Sequence, residues 1–119
     1  MRMMKLPVKG VMFSEEVDVD VRDIPSAIDA QMFEIVRPVA FAEMDHPEFV
    51  LLVDESGALK DDRVMNPCAS ELYGWRRHGV RIYGDALIAK EVRTDDGDYD
   101  LAGLDDDDID TVNMIIFSV

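Results

Sequence analysis

The sequence predicts an α+β domain with a mixed, mainly antiparallel sheet of five or six strands and two or three helices. Three observations predict it. Val17-Asp18-Val19-Asp20-Val21 alternates apolar and acidic residues, the period-two pattern of a half-buried strand. Phe49-Val50-Leu51-Leu52-Val53 is a continuous apolar run, as expected of a central strand covered on both faces. Helix signals interrupt the strands. Asn66 can cap a helix whose first position suits Pro67, and Ile109, Val112 and Ile116 recur at helical spacing near the C-terminus.

In chain order, Met3 to Phe13 reads as a strand, and Pro7 favours an edge position. With Glu15-Glu16 between them, this strand and Val17–Val21 form a hairpin. Pro25 and Ser26 start a short helix through Ala27, Ile28 and Gln31, with Asp23 as its cap. Phe33 to Val39 is rich in strand formers. Asp54-Glu55-Ser56-Gly57 has turn chemistry, and Ala58-Leu59 returns as a short strand. The helix opened by Asn66-Pro67 runs through Ala69, Leu72 and Tyr73 and ends near Gly74 or Gly79. Val80 to Val92 is expected to be a long strand, with Gly84 marking a bulge or close approach. Asp95 to Gly103 is expected to be a polar loop. Asp105 to about Phe117 is expected to be a helix whose acidic start complements the helix dipole. A final strand over Val112 to Val119 is the alternative, because Ile, Phe and Val also favour sheets.

Composition narrows the function classes. A chain of 119 residues, 48% of them hydrophobic and 32% charged, suits one globular domain over residues 1–119 that needs no metal or disulfide to fold. Cys68 is the only cysteine, so no internal disulfide forms. Lys5, Pro7, Lys9 and Gly10 break the apolar run a signal peptide needs, and no stretch approaches a membrane span; the expected location is the cytoplasm. The net charge of -14 disfavours direct nucleic-acid binding and anionic membranes, and it suits a basic protein partner. The acid is mostly Asp and the base mostly Arg. A high-GC genome accounts for that balance better than salt adaptation, because the large apolar residues are not thinned out.

No motif establishes a chemistry. Asp95 to Asp110 carries nine aspartates without Lys or Arg. Asp96, Asp98 and Asp100 open like a calcium loop and Asp107 stands at the twelfth place. Leu101 occupies the sixth place, where the turn needs glycine, and a solvated loop and helix start is the simpler reading. His46, His78 and Cys68 have no zinc spacing. A helix dipole can activate a thiol such as Cys68, although a lone cysteine is usually a small buried apolar residue. Arg76, Arg77, His78 and Arg81 form the one basic cluster, beside Tyr73 and Trp75. It can hold an anion, or simply neutralise acids of the same chain. No G-x-G-x-x-G, P-loop, G-x-S-x-G or H-E-x-x-H is present. No catalytic residue, cofactor or metal ligand is nominated.

Leu51-Leu52-Val53-Asp54-Glu55-Ser56-Gly57-Ala58-Leu59-Lys60, Asn66-Pro67-Cys68-Ala69-Ser70-Glu71-Leu72-Tyr73 and Ile82-Tyr83-Gly84-Asp85-Ala86-Leu87-Ile88 together resemble the middle of a family of short bacterial, plasmid and phage proteins, the domain of unknown function 3846. Leu104-Asp105 to Ile109 resembles its closing element, so the likeness spans roughly residues 15 to 112. The family carries no assigned activity, so the resemblance transfers no site residue. It implies an accessory role on mobile elements. The acid load and the Trp75-Arg76-Arg77-His78 link depart from the family pattern.

The expected function is therefore a non-enzymatic interaction or regulatory module, in its sharper form a DNA mimic that occupies a DNA-binding protein. A mimic requires a one-sided, extended acidic surface. The alternative is a small-molecule or nucleotide-binding domain with a pocket near Asn66, Tyr73, Tyr83 and Asp85. The candidate ligand or partner surface comprises Asn66, Tyr73, Arg76, Arg77, Tyr83 and Asp85.

Overall fold

The computed structural model describes residues 1–9 and 14–119. It contains a six-stranded sheet built from β1 (Arg2–Leu6), β2 (Glu15–Asp18), β3 (Phe33–Val36), β4 (Phe49–Asp54), β5 (Ala86–Arg93) and β6 (Tyr99–Ala102). The helices are α1 (Ile24–Ala27), α2 (Val39–Glu43), α3 (Pro67–Tyr73), α4 (Trp75–His78) and α5 (Asp106–Ser118). The α+β fold is as the sequence predicts, and every strand pairing among the described residues is antiparallel.

β5 is the hub. Its first half pairs with β1, through Met4 opposite Ile88 and Leu6 opposite Ala86. Its second half pairs with β6 on the same edge, through Lys90 opposite Ala102 and Arg93 opposite Tyr99. β4 lies along the other edge, with Phe49 opposite Lys90 and Leu52 opposite Leu87. β2 and β3 are the outer strands.

The period of two in β4 sorts its side chains between two cores. Phe49, Leu51 and Val53 join Met4, Leu6 and Ile88 beneath Phe41 of α2, Leu72 of α3 and Val112 and Ile115 of α5. Val50 and Leu52 join Met3, Leu87 and Ala89 beneath Ile24 of α1 and the adjoining Ile28. Helical segments thus cover both faces, and this is why the Phe49–Val53 run has no polar alternation.

Several elements depart from expectation, each for a local reason. The first strand ends at Leu6; the expectation for residues 10–13 falls outside the described residues. β2 stops at Asp18 because Val21 already belongs to a 3-10 turn, where it is exposed. The short helix ends at Ala27, before Gln31, and Asp23 stands at its cap position without a side-chain capping bond. Phe33–Val39 is divided: β3 ends at Val36, and Val39 opens α2 after Pro38. Gly57–Leu59 is a 3-10 turn and not a strand. Residues 80–85 are irregular, held by one bridge between Met65 and Tyr83 and by Gly84 at φ 85°, and β5 begins only at Ala86. Within the expected polar loop 95–103, Tyr99–Ala102 forms β6. The last segment is helical to Ser118, which excludes the strand alternative.

α5 starts with a capping box: Asp105 accepts from the Asp108 N–H at 2.8 Å, and Asp108 accepts from the Asp105 N–H at 3.0 Å. Lys90 Nζ donates to the same Asp108 carboxylate at 2.6 Å. Partial burial pushes the Asp108 pKa up. The bonds from Lys90 and from the Asp105 N–H outweigh it, so the carboxyl sits below its ordinary value. A depressed carboxyl stabilises the fold fully above its unfolded pKa, about 4, and that stability is lost as pH falls through the folded value. Asp18, lowered by a hydrogen bond from the N-terminal ammonium, acts in the same sense. The Tm is therefore expected to fall between about pH 5 and about pH 2, and to fall less steeply in Asp108→Asn. Identical slopes for the two proteins in a pH series of thermal melts would sink this assignment.

Candidate functional site

Two adjacent depressions lie at the end of the sheet where β5 begins. They share a wall made by Arg63 and Tyr83. The geometry starts at Asn66, which is buried. Its Nδ2 donates to the carbonyls of Leu6 at 2.8 Å and Gly84 at 3.0 Å, while its Oδ1 accepts from the Ala69 N–H at 3.0 Å. Ser70 Oγ accepts from the Ile82 N–H at 2.9 Å. α3 is thereby tied to the 82–84 segment, and Tyr83 is held outside the core. Gly57 supports the same wall, because a Cβ there would stand 2.9 Å from the Tyr83 carbonyl oxygen.

The first depression, of about 340 Å³, is lined by Arg63, Trp75, Arg76, Arg81 and Tyr83 together with Ala58, Gly79 and Val80. Its guanidiniums rest on aromatic rings. Arg81 lies 3.9 Å and Arg76 4.6 Å from the Trp75 centroid, and Arg63 lies 5.1 Å from that of Tyr83. Arg76 also bonds Glu71 at 3.0 Å. Glu71 is held below its ordinary pKa, first by the hydrogen bond from the Trp75 indole and then by Arg76. Among the described residues, no carboxylate lines this depression.

The second, of about 380 Å³, has mixed charge. Lys60 bonds Asp54 at 2.7 Å and donates to the Asp29 carbonyl, also at 2.7 Å. Lys5 faces Asp85 at 3.6 Å, and Asp85 accepts from the Val8 N–H. Asp62 and Arg63 complete one side.

The sequence-predicted surface is thus divided. Tyr83 and Asp85 line the second groove, and Arg76 and Tyr83 line the first. Asn66 is withdrawn into internal hydrogen bonds. Tyr73 is partly buried and stacks on His78, with ring centroids 4.0 Å apart. Arg77 reaches away to Glu43 and lines neither depression. Arg63, absent from the sequence-predicted set, is central to both. Cys68 is half-buried and its pKa is raised by burial, which opposes the activation expected of a helix start. His46 bonds Glu48.

The aspartates of 95–110 gather at the other end of the sheet, on the β5–β6 turn, β6 and the start of α5. Arg2 ties this region to β2 by bonding both Asp106 and Glu16. The stretch that opens like a calcium loop folds as a hairpin, with Asp96 accepting from Thr94. Among the described residues, no group of three or more His, Cys, Asp or Glu is arranged to hold a metal ion, and no helix is long and apolar enough to cross a membrane. Other carboxylates stand on β3 (Glu34), after α2 (Asp45) and beside the second groove (Asp61, Asp62). Carboxylates therefore stand at several places besides this end.

No family model, curated protein or solved structure matches the chain.

Proposed function

We propose that the protein is a non-enzymatic interaction or regulatory module that acts in the cytoplasm and receives a basic protein partner, such as a DNA-binding protein, on its acidic end. The observation that supports this reading is the concentration of aspartates at one end of the sheet. Nine aspartates crowd the β5–β6 turn, β6 and the start of α5, whereas the arginine–aromatic cluster occupies the opposite end. Such a field draws a basic surface in and orients it. Kinship with the domain of unknown function 3846 belongs to the same proposal, and it makes the role an accessory one carried by a mobile element.

The test uses affinity capture from cell lysate with the wild type and with a variant carrying Asp95→Asn, Asp98→Asn, Asp100→Asn and Asp107→Asn. These positions leave the capping pair Asp105 and Asp108 intact. Partners held by the acidic end are expected to fall at least about ten-fold in yield with the variant, and to fall for the wild type as salt rises from about 0.05 to about 0.3 M. Equal capture by both proteins at both salt concentrations would overturn the reading.

A further inference from the structure

We propose that the depression between Arg63, Arg76 and Arg81 is an oxyanion site that binds the phosphate of a small phosphorylated metabolite, with the rest of that ligand lying in the adjoining Asp-lined groove. This site is independent of the acidic-end reading, since it lies at the opposite end of the sheet.

Charge carries the first step. The chain has 26 acidic and 12 basic side chains, yet three arginines line one depression that has no carboxylate among its described lining residues; Arg76 is paired with Glu71, which leaves Arg63 and Arg81 to carry the free charge. Other arginines lie against acids, Arg37 on Glu91, Arg77 on Glu43 and, within the site itself, Arg76 on Glu71. Arg81 has no ion-pair or hydrogen-bond partner among the described residues, and the guanidinium bond of Arg63 goes to a neutral carbonyl, that of Ala58.

Geometry carries the second. Arg81 lies over the Trp75 ring and Arg63 over the Tyr83 ring; among the described residues Arg81 spends no guanidinium donor, and Arg63 spends one, on the Ala58 carbonyl. Forks held this way are pre-organised for a bidentate oxyanion, and less side-chain entropy is lost on binding. A tetrahedral phosphate with two charges matches several guanidiniums better than a single carboxylate does.

The shared wall carries the third. Arg63 and Tyr83 line both depressions, so a ligand anchored on Arg63 and Arg81 extends directly toward Asp62 and Asp85. Carboxylates accept hydrogen bonds from hydroxyl or amino groups, which describes a ribose or sugar body. Volumes of about 340 and 380 Å³ lie in the range of small-ligand sites. The net charge of -14 repels an extended polyanion, and this favours a small phosphorylated molecule over nucleic acid.

The experiment titrates the full chain with inorganic phosphate, AMP, ribose 5-phosphate and a phosphoserine peptide. Fluorescence of the only tryptophan, Trp75, reports on the site because Arg76 and Arg81 lie against its ring. AMP or ribose 5-phosphate is expected to saturate the signal at least about ten-fold more tightly than inorganic phosphate. Arg63→Gln and Arg81→Gln are each expected to weaken that binding about ten-fold or more. Arg81→Lys loses most of it, for want of the fork, while Arg77→Gln leaves it unchanged. Unaltered thermal melts of the variants separate binding loss from unfolding. The proposal is overturned if neither small phosphate binds saturably, if Arg63→Gln and Arg81→Gln bind as the wild type does, or if the phosphopeptide binds more tightly than both small molecules.

Discussion

Replacing Asn66 with alanine is expected to destabilise the protein by about 3–5 kcal/mol and to lower its Tm by roughly 10–20 °C. The side chain is almost wholly buried, at 1% exposure, and makes three hydrogen bonds to three different parts of the chain. One bond holds the end of β1 through Leu6, one holds Gly84 ahead of β5, and one caps α3 at Ala69. Alanine removes a helix cap, worth about 1 kcal/mol, and takes the donors from two carbonyls, that of Leu6 buried and that of Gly84 partly buried, at about 1–3 kcal/mol each. Asn66→Asp tests the donors separately. It keeps the acceptor for Ala69 but turns a carboxylate toward two carbonyl oxygens, so at neutral pH it is expected to be no milder than alanine. Urea unfolding at neutral pH measures both. A loss below about 1 kcal/mol for Asn66→Ala would refute the description of this residue as the tie between sheet and helix.

Asn66 also shows which features were legible in the sequence. Asn-Pro before an apolar-periodic run is a local signal, and local physics decides it; the same holds for the acidic start of α5 and for the Phe49–Val53 strand. β6 was hard to read because its alternation, Asp98-Tyr99-Asp100-Leu101, is short and lies inside an aspartate-rich stretch with loop composition. The strand exists through its pairing with Glu91, Val92 and Arg93 of β5, which is tertiary information. Val80–Tyr83 has strand-forming composition, yet Gly79 and Gly84 at positive φ bend the backbone on either side. α2 was missed because it is a single short turn that follows β-rich residues.

The candidate site was half legible for a related reason. Trp75, Arg76 and Arg81 are close in sequence and stand out as the one basic cluster. Arg63 precedes α3 and joins them through the Met65–Tyr83 bridge and the backbone bonds around it, which no local pattern announces. The sequence-predicted set also drew in Asn66 and Tyr73, whose polar groups are the kind a ligand uses. In the folded chain the Asn66 amide serves the backbone and the Tyr73 ring packs on the core and on His78. Residue type alone does not separate a ligand contact from a structural tie.

The corner between α3 and α4 carries the second large effect. Gly74→Ala is expected to cost about 2–4 kcal/mol, because two independent penalties meet at one atom. Gly74 has φ 86° and ψ 54°, a left-handed conformation that costs a residue with a Cβ about 1–2 kcal/mol. A Cβ there would also stand 2.9 Å from Val39 Cγ2 on α2, an overpacking worth about 1–3 kcal/mol. Gly79 separates the two terms. It has φ 80° with nothing within 4 Å of an added Cβ, so Gly79→Ala is expected to cost only the conformational part, about 1–2 kcal/mol. Trimming the opposing side chain provides the complementary control: in the Val39→Ala background the steric part disappears, and the double variant is expected to be more stable than the sum of the single losses by about 1 kcal/mol or more. The corner matters beyond stability, because Gly74 ends α3 and starts the helix that carries Trp75 and Arg76. A displaced α4 would separate Arg76 and the Trp75 ring from Arg63 and Tyr83, so Gly74→Ala is expected to weaken phosphate binding as well as the fold, and Val39→Ala to restore part of both. Equal losses for Gly74→Ala and Gly79→Ala, with no coupling to Val39 in denaturant titrations, would show that α2 does not set the direction of α4.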